Sequence, residues 1–136
     1  MNIVIDTNVL FSALLKEESR LRDAFFKDGR SFFAPNYLFI ELFRYKEKIL
    51  SFSKLDEHDF YDALSILIEK IRFIQIDLIS VQNRQKAFDL CRSVDVKDTI
   101  VVALTLELDA VLWTGDKKLK QSLLEKGFTR LFTPDL

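Results

Sequence analysis

Three β-branched residues in a row, Ile3-Val4-Ile5, run directly into an acid, Asp6. The run is too short for a helix, and β-branched side chains favour a pleated, packed strand. An apolar run without polar alternation marks a strand covered on both faces, as in the centre of a parallel sheet. An ionisable carboxyl ending such a strand is costly unless a partner compensates it. Of all the acids in the chain, Asp6 is the hardest to account for by packing alone.

The segments that follow alternate between helix and strand. The spacing predicts helices over 7–16 and 19–27, the second stopped by Asp28-Gly29. A strand is expected over 31–34, with Pro35 in the first turn of the helix that carries Glu41. Leu38, Leu42, Tyr45 and Ile49 recur along that helix at helical spacing. Asp56-Glu57-His58-Asp59 opens another helix, in which Phe60, Leu64, Leu67 and Ile71 keep the same period. A strand over 72–76, a helix over 81–91, a helix over 100–108 buried on most sides and a strand over 110–113 come next. The chain then reads as a helix over 117–126 closed by Gly127, with a short last strand over 130–132. Such alternation implies an α/β fold, a three-layer α/β/α sandwich around a mostly parallel sheet of four to five strands.

The totals bound this picture. The 136 residues suffice for one domain, 1–136, and three Gly and two Pro leave no evident linker. Thirteen Phe imply a core rich in aromatic contacts. Twenty basic and 21 acidic residues nearly cancel, so nucleic acid would have to be held by local patches rather than bulk charge. Cys91 is the only cysteine and reads as a small core residue in a reducing compartment. The start of the chain enters a strand without a basic leader, and no apolar run approaches a bilayer-spanning length, so a cytoplasmic protein is expected.

In open parallel sheets, ligands bind beyond the carboxyl ends of the strands. Asp6 follows the first strand, and Asp116 follows Val111-Leu112-Trp113-Thr114 after a single Gly. Asp98 heads the buried helix, and Glu41 lies early in the helix after the second strand. Helix starts share an edge with strand ends, so these four carboxylates can converge. Gathered acids need a counter-charge, and hard oxygen donors suit Mg²⁺ or Mn²⁺. Such ions can generate a hydroxide nucleophile and stabilise the leaving oxygen of a phosphodiester. Each acid also has a structural reading. Asp95 and Asp98 have the spacing of a helix cap, as do Asp56 and Asp59; Asp116 suits a cap, and Glu41 a solvated surface. Only the four taken together carry the chemistry.

The same residues carry a resemblance to the PIN-domain family. Ile3 to Leu10, an apolar strand followed by Asp6-Thr7-Asn8, resembles the family's opening. Pro35 through Glu41 to Tyr45-Lys46 resembles its second block. Asp95-Val96-Lys97-Asp98 and the segment to Leu106 are similar to the third, and Trp113-Thr114-Gly115-Asp116-Lys117-Lys118-Leu119 to the fourth. The resemblance implies a metal-dependent ribonuclease in which Asp6, Glu41, Asp98 and Asp116 hold Mg²⁺ or Mn²⁺ and position the attacking water. Asn8 would orient a carboxylate and Thr114 would support the site by hydrogen bonds. Many members of the family resemble this chain in size and are toxins of toxin–antitoxin pairs, homodimers silenced by a small antitoxin protein; similar single-domain proteins have no demonstrated partner, and the four blocks do not separate the two groups.

Arg44, Lys46 and Lys48 follow Glu41, and Lys117, Lys118 and Lys120 follow Asp116. Arg44, Lys46, Lys117 and Lys118 are the candidate RNA phosphate contacts, against the plain alternative of solvated helix faces. His58, the only histidine, stands apart from every acid block, which disfavours metal-free acid–base cleavage. No Gly-x-Ser-x-Gly elbow or Gly-rich phosphate loop is present. An aspartyl-phosphate enzyme would want a second acid where Asn8 stands, and a receiver-like domain would want paired acids where Asn2 is the sole polar residue. The remaining rival is a PIN-fold module that binds RNA or protein without cutting.

Overall fold

The computed structural model describes residues 1–92 and 94–134. Its elements run β1 (Asn2–Ile5), α1 (Thr7–Ala13), α2 (Arg20–Ala24), β2 (Ser31–Pro35), α3 (Tyr37–Phe52), α4 (Glu57–Lys70) and β3 (Ile71–Ile74). A 3₁₀ turn (Ile76–Leu78) leads to α5 (Val81–Leu90), α6 (Val96–Glu107), β4 (Val111–Trp113) and α7 (Lys117–Glu125). The strands form one four-stranded, wholly parallel sheet in the order β3-β2-β1-β4. Ile3 is paired with Phe32 on one side and Val111 on the other, which makes β1 a central strand.

Strand pleating sends alternate side chains to opposite faces, and both faces are covered. Ile3, Ile5, Phe32, Ala34 and Trp113 pack with α1, α2, α3 and α4 in one core. Val4 and Leu112 pack with α5, α6 and α7 in the other. The two layers follow from chain direction. From β1 to β3 the strands are added one way, and β4 is then laid down on the far side of β1. Right-handed crossovers in opposite directions deposit their helices on opposite faces. The strand order therefore reverses between β1 and β4, and a crevice opens at their carboxyl ends.

Aromatic rings fill the first core. Phe25 lies 4.6 Å from Phe32 and 5.0 Å from Trp113, centroid to centroid, and Trp113 packs edge-on against Phe132. The second core is centred on α6, whose Val101 to Thr105 are all buried. Thr105 satisfies its hydroxyl there by donating to the Val101 carbonyl, 2.8 Å away. Cys91 is buried beside α6, and burial pushes its thiol up to about 11, so it stays neutral.

Several boundaries differ from the sequence expectation. Pro35 is the last residue of β2, opposite Ile74, and not a helix-start residue. At a strand end its missing N–H costs no ladder bond, and Asn36 supplies the next donor, to the Ile74 carbonyl. Ile71 opens β3 instead of closing α4, because pairing with Phe32 outweighs helical periodicity. The expected last strand shrinks to a single parallel bridge between Leu112 and Leu131. Helix α6 starts at Val96, ahead of the apolar run that marks it in the sequence. Gly127, at φ 84°, does close α7, with the Phe128 amide bonded to the Leu123 carbonyl at 2.9 Å. Of the neighbouring rings Phe25 and Phe26, the first is buried and the second exposed, as is Phe43.

Candidate functional site

Asp6 stands where β1 ends, and its amide continues the ladder by donating to the Trp113 carbonyl at 3.0 Å. It occupies the position before α1 that a capping side chain would use, yet it makes no capping hydrogen bond. Its Oδ2 instead accepts a 2.9 Å bond from the Thr114 hydroxyl, across the β1–β4 crevice. Thr114 is 1% exposed and Asp6 8%. The same Thr114 oxygen accepts the Asp116 amide at 3.1 Å, so both of the hydroxyl's roles are used.

Asp116 caps α7, its Oδ1 accepting from the Leu119 amide at 3.1 Å. Asp95 likewise caps α6, taking the Lys97 amide at 3.0 Å. Asp98 lies in the first turn of α6, and Glu41 one turn into α3. The N-termini of α1, α3, α6 and α7 thus meet around one hollow of about 230 Å³, lined by Asp6, Glu41, Asp98, Asp116 and Asp95 together with Thr7, Asn8, Tyr37 and Lys97. All four acids singled out in the sequence come together there. Asn8 lines the hollow from the first turn of α1 and is a helix residue, not a cap. Larger hollows exist, among them one of about 720 Å³ beside Lys54 and Asp56, one of about 450 Å³ beside Leu90 and Lys126 and one of about 360 Å³ between α5 and α6, but none of these is lined by a strand residue.

The carboxylates feel one another. The Asp98 carboxyl is pushed up to about 6, first by burial and then by the charges of Asp6, Asp116 and Asp95. Burial also raises Asp6, with Asp116 and Glu41 adding, while hydrogen bonds from Thr114 and the Thr7 amide pull the other way. Burial, and then the charges of Asp6, Glu41, Asp98 and Asp95, drive the Tyr37 hydroxyl far above its ordinary range, so it is a donor at neutral pH. That hydroxyl donates to the Lys97 carbonyl at 3.3 Å, tying α3 to α6.

Tyr37 and Lys97 are not among the sequence candidates. Tyr37 lies four residues before Glu41 and shares its helix face, a signal present in the spacing. Lys97, between two acids in Asp95-Val96-Lys97-Asp98, is visible only as the odd charge in the string. The candidate phosphate contacts lie outside the hollow. Arg44 follows Glu41 by three residues, on the same stripe of α3. Lys46 points elsewhere, its ammonium 5.5 Å from the centroid of the Phe43 ring. Lys117 and Lys118 are exposed in the first turn of α7.

The donor set is one of hard oxygens, which fits a small divalent cation. Among the described residues, three ligand atoms all within 4.8 Å of one another occur only at Asp56, His58 and Asp59, exposed at the start of α4 and outside this hollow. An ion of the Mg²⁺ type keeps several waters and takes one or two carboxylates directly, so it does not need a closed cage of protein oxygens.

Comparison with curated proteins finds no match. Among solved structures, the chain resembles the crystal structure of VapBC2 from Rickettsia felis bound to a DNA fragment from their promoter. The likeness covers 89% of this chain and 92% of that one, with a TM-score of 0.58 and 16% identity, and it is a likeness of fold. A family profile described as the PIN domain matches residues 4–130, a span that takes in all four acids, the carboxyl end of β1 and the whole of β4. By that match the chain belongs to the PIN-domain family.

Proposed function

We propose that this chain is a divalent-metal-dependent ribonuclease, a single domain over residues 1–136 that hydrolyses RNA phosphodiester bonds. The observation that carries the reading is the meeting of Asp6, Glu41, Asp98 and Asp116, remote in sequence, around one hollow at the strand-order reversal. PIN-family membership adds its weight.

In this reading the four carboxylates hold Mg²⁺ or Mn²⁺, which when bound lowers the pKa of water and offsets charge on the phosphate. The remaining work falls to the chain. Thr114 favours the ionised form of Asp6 against the effect of burial and fixes its carboxylate by a 2.9 Å bond. The Leu119 amide fixes Asp116 through Oδ1. Asn8 supplies an amide side chain at the rim, to orient a carboxylate or an incoming water. Arg44, with Lys117 and Lys118, receives the flanking phosphates, and Lys46 contributes less because it lies over Phe43.

The fold likeness to VapBC2 favours a toxin of a toxin–antitoxin pair, with a small antitoxin protein as partner. A homodimer is favoured by Phe39, Ile40 and Phe43, all exposed on one helix. A cytoplasmic setting agrees with the lone reduced, buried Cys91 and with the lack, among the described residues, of a helix long and apolar enough to cross a membrane.

The deciding experiment incubates fluorescent RNA with the protein and Mg²⁺ or Mn²⁺. Cleavage is expected, and both chelator and Asp6→Ala should abolish it. Binding without cleavage would instead make the chain a non-catalytic PIN-fold module.

A further inference from the structure

Among the described residues lining the acid hollow, Lys97 is the one cation, set against the carboxylates of Asp6, Glu41, Asp95, Asp98 and Asp116. Its main chain is pinned on both sides. The amide donates to Asp95 Oδ1 at 3.0 Å, and the carbonyl accepts from the Tyr37 hydroxyl at 3.3 Å. The side chain is not pinned: it is 64% exposed and reaches Glu41 Oε1 at 3.9 Å, while the Glu41 side chain is 14% exposed. The backbone is fixed and the exposed ammonium lies over the carboxylates, with open solvent on its other side.

We propose that Lys97 is a tethered counter-ion of the acid site, paired with Glu41 when no metal is bound and displaced toward the mouth by a divalent cation. This inference rests on the metal-site reading above. The ammonium and the ion compete for the same carboxylate, so the lysine weakens metal binding while it holds the empty site together. The Tyr37 bond keeps α6 close enough to α3 for the exchange to occur in place.

The test is calorimetric titration of the full chain with Mn²⁺ in the absence of RNA, comparing wild type with Lys97→Met and Lys97→Arg. Exposed ion pairs are weak, so removing the charge should tighten Mn²⁺ binding by about two- to fivefold, and Lys97→Arg should stay close to wild type. Damage to the site would move affinity the opposite way, so the sign of the change separates competition from a merely structural role. Equal or weaker Mn²⁺ binding by Lys97→Met overturns the counter-ion role and leaves the metal site standing. No Mn²⁺ binding by the wild type overturns both. Melting without metal checks that each variant is folded.

Discussion

Replacing Asp98 by Asn should make the metal-free protein more stable, although it removes a candidate metal ligand. The Asp98 carboxyl titrates at about 6 in the fold against an ordinary 3.8, with burial and three like charges all opposing its ionisation. A group whose folded pKa is raised binds more protons in the folded state, so stability falls as pH rises from the unfolded to the folded value. The full shift corresponds to about 3 kcal/mol, which the group's partial contact with water reduces to about 1–2 kcal/mol. For a chain of this length that is a gain of about 3–6 °C in melting temperature for Asp98→Asn at pH 8 in chelator. The gain should be absent near pH 3, below both pKa values, where the carboxyl is mostly protonated folded or unfolded, and develop between about pH 4 and 6. Mn²⁺ should reverse the order, because only the wild type keeps the full ligand set and the stabilisation that binding brings. Differential scanning fluorimetry across pH, with and without metal, reads all of this. An Asp98→Asn variant no more stable than wild type at pH 8 in chelator would refute the account of crowded like charges.

Thr114→Val keeps the shape but strips the donor from Asp6 and the acceptor from the Asp116 amide; it should cost about 2–3 kcal/mol in urea unfolding and weaken Mn²⁺ binding, whereas Thr114→Ser should retain most of both. Arg44→Ala should lower RNA affinity at low salt and flatten its salt dependence by about one phosphate contact, with Lys46→Ala changing less, as read by fluorescence anisotropy over a salt series. At Gly127 an added Cβ meets nothing within 4 Å, so Gly127→Ala tests the left-handed backbone alone and should destabilise by about 1 kcal/mol in the same unfolding assay.

Much of the architecture was legible because the cores are written as uninterrupted apolar runs. Ile3-Val4-Ile5 reads as a doubly covered strand, and it is one, its side chains divided between two cores. Local rules failed where a distant partner decided the outcome. Pro35 has the local look of a helix start, but its position opposite Ile74 belongs to the sheet. Ile71 fits the period of α4, yet β2 captures it. Phe25 and Phe26 are neighbours of identical type, and only the packing against Phe32 and Trp113 says which one is buried. The acids were visible one by one, because each stands at a strand end or helix start. The contact between Tyr37 and Lys97 was not, since the bond joining them spans 60 residues and exists only once α3 and α6 meet.

Cap and ligand, which compete as readings of each acid in the sequence, are compatible roles in the fold. A carboxylate has two oxygens, and a cap consumes one: Asp116 gives Oδ1 to the Leu119 amide and still lines the hollow. The caps also explain how so many acids tolerate one another. Helices α1, α3, α6 and α7 begin at the hollow, and each N-terminus brings first-turn amides that side-chain oxygens can take up, together with the positive end of its dipole. Strand ends and helix starts fall on the same edge of any parallel sheet, so a chain that closes strands with Asp and caps helices with Asp collects carboxylates there as a by-product. What marks this edge as more than capping is Asp6. It occupies a cap position, leaves the cap bond unmade, and spends its best hydrogen bond on holding a buried charge toward three others.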